Sequence, residues 1–373
     1  MYKQPGQEEF LFYMLYTTAA VLSLIASCYL LLRRGNAFAP DIKTPTRLRQ
    51  WTAAFFGAMT LSHLWYMPGV FLTSEENIML HDLVGGLLDS MTFVPLAIVV
   101  MLCMLQDRRR PLWPAWVMVA PLVVVISVCI AKLSYDPLPM VLGYLLLLGI
   151  GLFIYMVRAI RQYDCWLRDN YADLEHKEVW QSFMILAAIL LMTGIYAFGF
   201  EWPAYDHVVQ VNNIVLVCYL LWRVETLRDL SISQSSINEE AVTAEEQTAH
   251  NDFGPFLQKY CIDTQLYLQY DLSLLQLSKA IGTNRFYLSQ YFSSQGLTYN
   301  AYINNLRIDH FVSLYREAVA AHRSFTAQQL AQESGFRSYR TFSDAFKRKM
   351  GQTVTVWMKA GQKGKIQERQ ARP

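Results

Sequence analysis

Charge is scarce in this 373-residue chain. Asp, Glu, Lys and Arg make up 17% of it against 53% apolar residues, and the mean hydropathy is positive, which excludes one ordinary water-soluble domain. Paired cysteine is missing as well. The cysteines at 28, 103, 129, 165, 218 and 261 include no close pair and no metal-ligand spacing, which argues against a disulfide framework or a zinc site. There is no HExxH, no GxSxG, no Walker-type loop and no GxGxxG in a strand-turn-helix setting, so no catalytic set, cofactor or metal is expected. A basic leader is also absent: MYKQPGQEE precedes the first apolar run and Arg33-Arg34 follow it. That run is therefore read as a span and not as a cleaved signal, although Ile25-Ala26-Ser27-Cys28 has the form of a lipoprotein processing box.

What is present in place of charge is long apolar runs. Seven nearly charge-free stretches, at 10–32, 51–72, 83–105, 113–131, 140–157, 180–200 and 208–222, approach the length that crosses a bilayer as a helix. Their loops are asymmetric. One set holds Arg33, Arg34, Lys43, Arg47, Arg49, Arg108 to Arg110, Arg158, Arg161, Arg168, Lys177, Arg223 and Arg228, and the other only Lys3 and Lys132. Basic loops stay in the cytoplasm, so the expected topology is multi-pass in a bacterial inner membrane, N-terminus outside and C-terminus inside. Trp51, Trp113, Trp116, Trp180, Trp202 and Trp222 fall at span ends, where an amphipathic ring suits the interface, and Gly85-Gly86, Gly149 and Gly151 let helices approach.

Polar groups inside these spans are few: His63, Asp89, Asn212 and Asn213, all toward the expected outer face. The outer loops add Glu75, Glu76, His81, Asp82, Asp136, Glu201, Asp206 and His207. Ionisable groups in lipid are costly and face an interior or a wet cavity. Two readings are open: an outward-facing sensing pocket for a cation, a proton or a small polar ligand, or hydrogen bonds between helices with no ligand at all.

Beyond Trp222 the character changes. Residues 229–251 are polar, with four glutamates and no lysine or arginine from Ser231 to Asn251, and read as an acidic linker. At that length a flexible chain spans on the order of 25 Å, which keeps the C-terminal third close under the bilayer. From Asp252 onward there are sixteen lysines and arginines against eight acids, while the whole chain is only +2. This concentrates positive charge where a phosphate backbone would be met. Within it, Thr326 with Gln329 forms a capping box, Gly335 ends that short helix, and Ser338 caps a second one whose apolar face is Phe342, Ala345 and Phe346. The same plan occurs earlier: Ser273 with Gln276, then Gly282, then Leu288 and Phe292. Two helix-turn-helix units joined by a helix over about 299–320 are expected, and residues 361–373 read as a loose basic tail.

The paired units, the connector TYNAYINNLRIDHF and the stretch GFRSYRTFSDAFKRKMGQT resemble the DNA-binding module of AraC-type transcriptional regulators. Val354 stands where that family usually has proline, and Asp344 where a basic residue is common on the reading face. The resemblance implies that Arg285, Phe286, Ser289 and Gln290 in the first unit, and Tyr339, Arg340, Ser343 and Asp344 in the second, face bases in successive major grooves. Arg337, Lys347, Arg348 and Lys349 are expected on phosphate, and Leu306, Ile308 and Phe311 in the core, with Arg307 structural or phosphate-facing.

The chain thus reads as all-α: residues 1–228 a seven-helix transmembrane sensor or anchor, 229–251 the linker, 252–360 the DNA-binding domain. The expected function is a membrane-embedded, sequence-specific transcriptional regulator, not an enzyme, whose partners are promoter DNA and the bilayer. Direct-repeat sites would suit a homodimer. The alternative is a membrane transporter or intramembrane enzyme with a basic regulatory appendage.

Overall fold

Every regular element among the described residues of the computed structural model is helical, and the one extended pairing is an isolated antiparallel bridge between Tyr171 and Ser273. The structure describes residues 7–33, 36, 43–196, 205–230 and 252–360. The stretch 231–251 of the expected linker, the tail 361–373 and the end of the sixth apolar run at 197–200 lie outside them. The chain divides into two compact units, one made of residues 1–163 and 179–231, the other of 164–178 and 232–373.

The first unit contains α1 (Gln7–Leu32), α2 (Thr46–Tyr66), α3 (Glu75–Met91), α4 (Phe93–Cys103), α5 (Pro114–Lys132), most of α6 (Leu138–Asn170), α7 (Trp180–Tyr196) and α8 (Tyr205–Thr226). Glu75 and Glu76 open α3, where the positive end of the helix dipole favours acid. The third apolar run is broken at Thr92: Pro95 has no N–H to offer the Met91 carbonyl, and Thr92 Oγ1 donates to the Leu88 carbonyl at 2.7 Å alongside the Thr92 N–H at 3.0 Å. The fifth run continues as helix well beyond residue 157. Met156, Ile160, Tyr163 and Leu167 recur at helical spacing and are all buried, which carries α6 on to Asn170.

By length and composition five helical stretches among the described residues can cross a membrane: Glu8–Leu32, Glu75–Cys103 with its kink, Pro114–Lys132, Pro139–Asn170 and Asp206–Thr226. The other two runs also form helices, but α2 opens on polar Thr46-Arg47-Leu48-Arg49 and α7 is 17 residues long. The interior of the unit is mostly apolar, with Phe55, Phe56, Met59, Val99 and Leu220 buried, but polar side chains are buried among them and many aliphatic ones face outward. Ser23, Thr52, Thr60, His63, Ser182 and Gln210 are buried, while Ile25, Val124, Leu147, Ile150 and Leu191 are exposed. Water penalises that arrangement and hydrocarbon favours it.

At one end a buried ion pair ties three helices. Arg49 Nη1 of α2 lies 2.6 Å from Glu225 Oε1 of α8, Arg49 Nε donates to the Leu30 carbonyl of α1 at 2.8 Å, and the Glu225 side chain is fully buried. Tyr29 donates to the other Glu225 oxygen at 3.3 Å. Removing one partner strands the other charge. Arg49→Met or Glu225→Leu alone should cost about 3–5 kcal/mol and the double variant much less, read as thermal unfolding of the purified protein in detergent; equal losses in all three variants would contradict this.

The second unit has two small cores on one bridging helix. Leu277, Ile281, Leu288, Phe292 and Ile303 form the first, and Ile308, Phe311, Leu330, Phe342 and Phe346 the second. Ile303, Ile308 and Phe311 all belong to the helix Tyr299–Ala320, so this connector is structural to both halves.

Candidate nucleic-acid interface

Each half of the second unit is a pair of short helices around a tight turn. In the first, Leu274–Ile281 begins with a reciprocal capping box between Ser273 and Gln276 and ends at Gly282, whose φ of 79° is left-handed. Asn284 then caps Arg285–Ser294, its Oδ1 accepting from the Phe286 N–H at 2.9 Å. The second half repeats this with Thr326 and Gln329 on Ala327–Glu333, the turn through Ser334 and Gly335, and Ser338 capping Tyr339–Met350. Gly335 is obligatory here: its φ is 90°, and a Cβ would stand 2.8 Å from the backbone of Leu268.

Caps and apolar anchors fix which side of each second helix faces outward. Leu288 and Phe292 are buried under Arg285–Ser294, leaving Phe286 67% exposed with Gln290 beside it on the outer side and Arg285 and Ser289 half-buried. A phenylalanine that exposed in a folded unit offers apolar surface to a partner. Phe342, Ala345 and Phe346 are buried under Tyr339–Met350, while Arg337, Tyr339, Arg340, Asp344, Lys347 and Arg348 are exposed and Ser343 is half-buried. Val354 packs in the second core at the start of a last helix over 354–360, so an apolar side chain serves where the related family has proline.

Lys349 behaves differently from its neighbours. Its Nζ donates to the Asn305 carbonyl at 2.8 Å and lies 2.5 Å from Asp309 Oδ1, bracing the helix Tyr339–Met350 against the connector. Arg337 lies 3.7 Å from Asp271. Arg307 is structural. It is 1% exposed, Nε donates to the Tyr267 carbonyl at 2.7 Å, and Nη2 donates to Gln269 and Tyr270 at 2.7 and 3.4 Å. Its guanidinium also stacks 5.6 Å from the centre of the Phe336 ring in the second half. Burial pulls its pKa below the ordinary arginine value, and nearby Tyr299, Asp173 and Asp271 oppose that pull. Burial likewise pushes the Cys261 thiol up to about 11, which leaves it an inert core residue.

Sequence reasoning missed the stretch 164–178, the end of α6 and the loop that leads to α7, which belongs to this unit. Ala172 is fully buried in the first core, its N–H donates to the Leu272 carbonyl at 3.2 Å, and Asn300 Nδ2 donates to the Ala172 and Tyr171 carbonyls at 2.7 and 3.1 Å. Arg285 Nη1 donates to Asn170 Oδ1 at 2.9 Å. The only forewarning was its acidity, in a loop expected to be basic.

The four candidate sensing residues sit in the first unit. His63 Nδ1 lies 2.8 Å from the Met59 carbonyl and Nε2 3.1 Å from Gln210 Oε1, with the Tyr16 ring 4.7 Å away and its hydroxyl donating to the His63 carbonyl. Asp89 of α3 faces Ser62, Trp65 and Tyr66 on the turn of α2 that also carries His63. Asp89 Oδ1 and Trp65 Nε1 are buried without a hydrogen-bond partner. Asn212 is turned elsewhere, donating to the Ile189 carbonyl at 3.0 Å, and Asn213 is half-buried next to it in sequence.

Replacing Arg307 with Leu leaves three carbonyls without their donor. A loss of about 2–4 kcal/mol in local stability is expected over 267–270 and the connector, measured by hydrogen exchange of the full-length protein; unchanged protection there would show that the guanidinium is not what holds them.

Residues 277–360 match a protein-family model described as a helix-turn-helix domain. No curated protein and no solved structure matches the chain.

Proposed function

We propose that this protein is a membrane-embedded transcription regulator of the AraC type that binds promoter DNA through both helix pairs. The observation that carries the reading is the coincidence of the helix-turn-helix match at 277–360 with two capped helices whose outward residues are the ones expected to meet bases. Arg340 pairs two ways with guanine O6 and N7, Gln290 reads adenine, and Phe286 packs on a thymine methyl. Arg337, Lys347 and Arg348 neutralise phosphates, with Lys349 contributing charge from its brace. The aliphatic side chains on the outside of the first unit and its five helices able to cross a membrane support placement in lipid; the seven crossings and the cytoplasmic DNA-binding unit rest on the apolar runs and the basic loops of the sequence.

The signal enters at the outer part of the first unit. His63, Gln210, Tyr16 and Asp89 form its polar centre, and the partnerless Asp89 Oδ1 and Trp65 Nε1 suit a proton, a cation or a small polar ligand. Direct-repeat sites would seat two copies.

Two outcomes test these assignments. Arg340→Ala should lose about 1–3 kcal/mol on its preferred duplex and almost nothing on a duplex altered at one base pair, measured by titration; equal losses on both duplexes would remove Arg340 from base reading. The double variant His63→Ala, Asp89→Ala should abolish induction of the target transcript while leaving DNA affinity intact, and normal induction would remove the sensing site.

A further inference from the structure

The second unit carries its own acidic strap. Residues 164–178 hold Asp164, Asp169, Asp173, Glu175 and Glu178 against Arg168 and Lys177. They are seated firmly. The bridge of Tyr171 to Ser273 and the Ala172 contacts hold the middle, Asn304 Nδ2 adds a bond to the Ala172 carbonyl at 3.3 Å, and Lys177 is 2% exposed with its Nζ 3.6 Å from Asp271.

The middle and the C-terminal end of the strap reach toward different recognition helices. Asn170 takes Arg285, the first residue of the helix Arg285–Ser294. Glu178 lies within the fields of Arg340 and Arg348 on the other: burial raises its pKa, Asp164 adds to that, and Arg168, Arg340 and Arg348 oppose it. Asp271 links the halves between these points, close to both Lys177 and Arg337. A short run with net negative charge thus bonds Arg285 in the first half and lies near Arg340 and Arg348 in the second, arginines that the proposed function assigns to DNA. DNA would have to displace it.

We propose that residues 164–178 are a built-in competitor of DNA, an intramolecular mask on Arg285, Arg340 and Arg348 that must release them for tight binding. This rests on the reading of the unit as DNA-binding. The strap begins in the last turns of α6 and leads into α7, so a rearrangement of those helices reaches the mask through the chain itself, without passing through the linker. A ligand that favours the lifted state then raises DNA affinity by its differential affinity for that state.

The test uses the full-length protein in lipid nanodiscs and a labelled random-sequence duplex of about 30 base pairs, enough for about three helical turns, at low salt. The strap is locked in Tyr171→Cys, Ser273→Cys with the exposed cysteines removed as Cys28→Ser, Cys165→Ser and Cys218→Ser; bridged residues lie about 5 Å apart, within disulfide reach. It is released in Asn170→Ala, Glu178→Gln. Relative to reduced protein, the oxidised lock should bind at least about tenfold more weakly, with recovery on reduction, and the released variant about tenfold more tightly than wild type. If the locked and reduced forms bind alike and the released variant matches wild type, the strap only completes the core and the mask is overturned. If no form binds any duplex, the DNA-binding reading falls, and the mask with it.

Discussion

One buried guanidinium fixes the geometry of the second unit. Arg307 sits on the connector helix, gathers three carbonyls from the segment before the first helix pair, and stacks on Phe336 at the turn of the second pair. Both cores draw on the same connector. The second helices of the two pairs therefore keep a fixed relation, as the proposed contacts with successive major grooves about 34 Å apart require. Lys349 adds a second brace between the connector and the helix that bears Arg340.

Burial and function divide this unit in opposite ways. Side chains spaced for packing, such as Leu288, Phe292, Phe342 and Phe346, vanish into the cores, and what remains outside is a phenylalanine, polar side chains and a cluster of cations. The first unit keeps an apolar interior too, but it also turns many aliphatic side chains outward and buries hydroxyls, His63 and Gln210. A buried pair such as Arg49 with Glu225 is costly to assemble, so it contributes less to net stability than to holding α1, α2 and α8 in one register.

The helix-turn-helix pairs were legible because their signals are local. A capping box spans four residues, and Gly282 and Gly335 mark the stops where a left-handed backbone is needed. Arg307 was kept off the reading face by its place among the connector's apolar positions, with a structural and a phosphate-facing role both left open. Less local features were not legible. The extension of α6 depends on Met156, Ile160, Tyr163 and Leu167 finding cover, which arginines at 158, 161 and 168 disguised as a loop. The docking of 164–178 pairs residues about a hundred positions apart, through backbone carbonyls that carry no sequence signature. Lys349 stands in a run of three basic residues that look alike in sequence, and only the neighbouring Asp309 singles it out as a brace.

The central claim is that a chain embedded in lipid reads DNA sequence with two helices at once. It is tested most directly by selecting duplexes from a random pool with the full-length protein in nanodiscs, at two salt concentrations. The account predicts one motif at both concentrations, with two half-elements about one helical turn apart. Binding that collapses steeply with salt and enriches no motif would contradict it, leaving a basic face that meets phosphate without reading sequence.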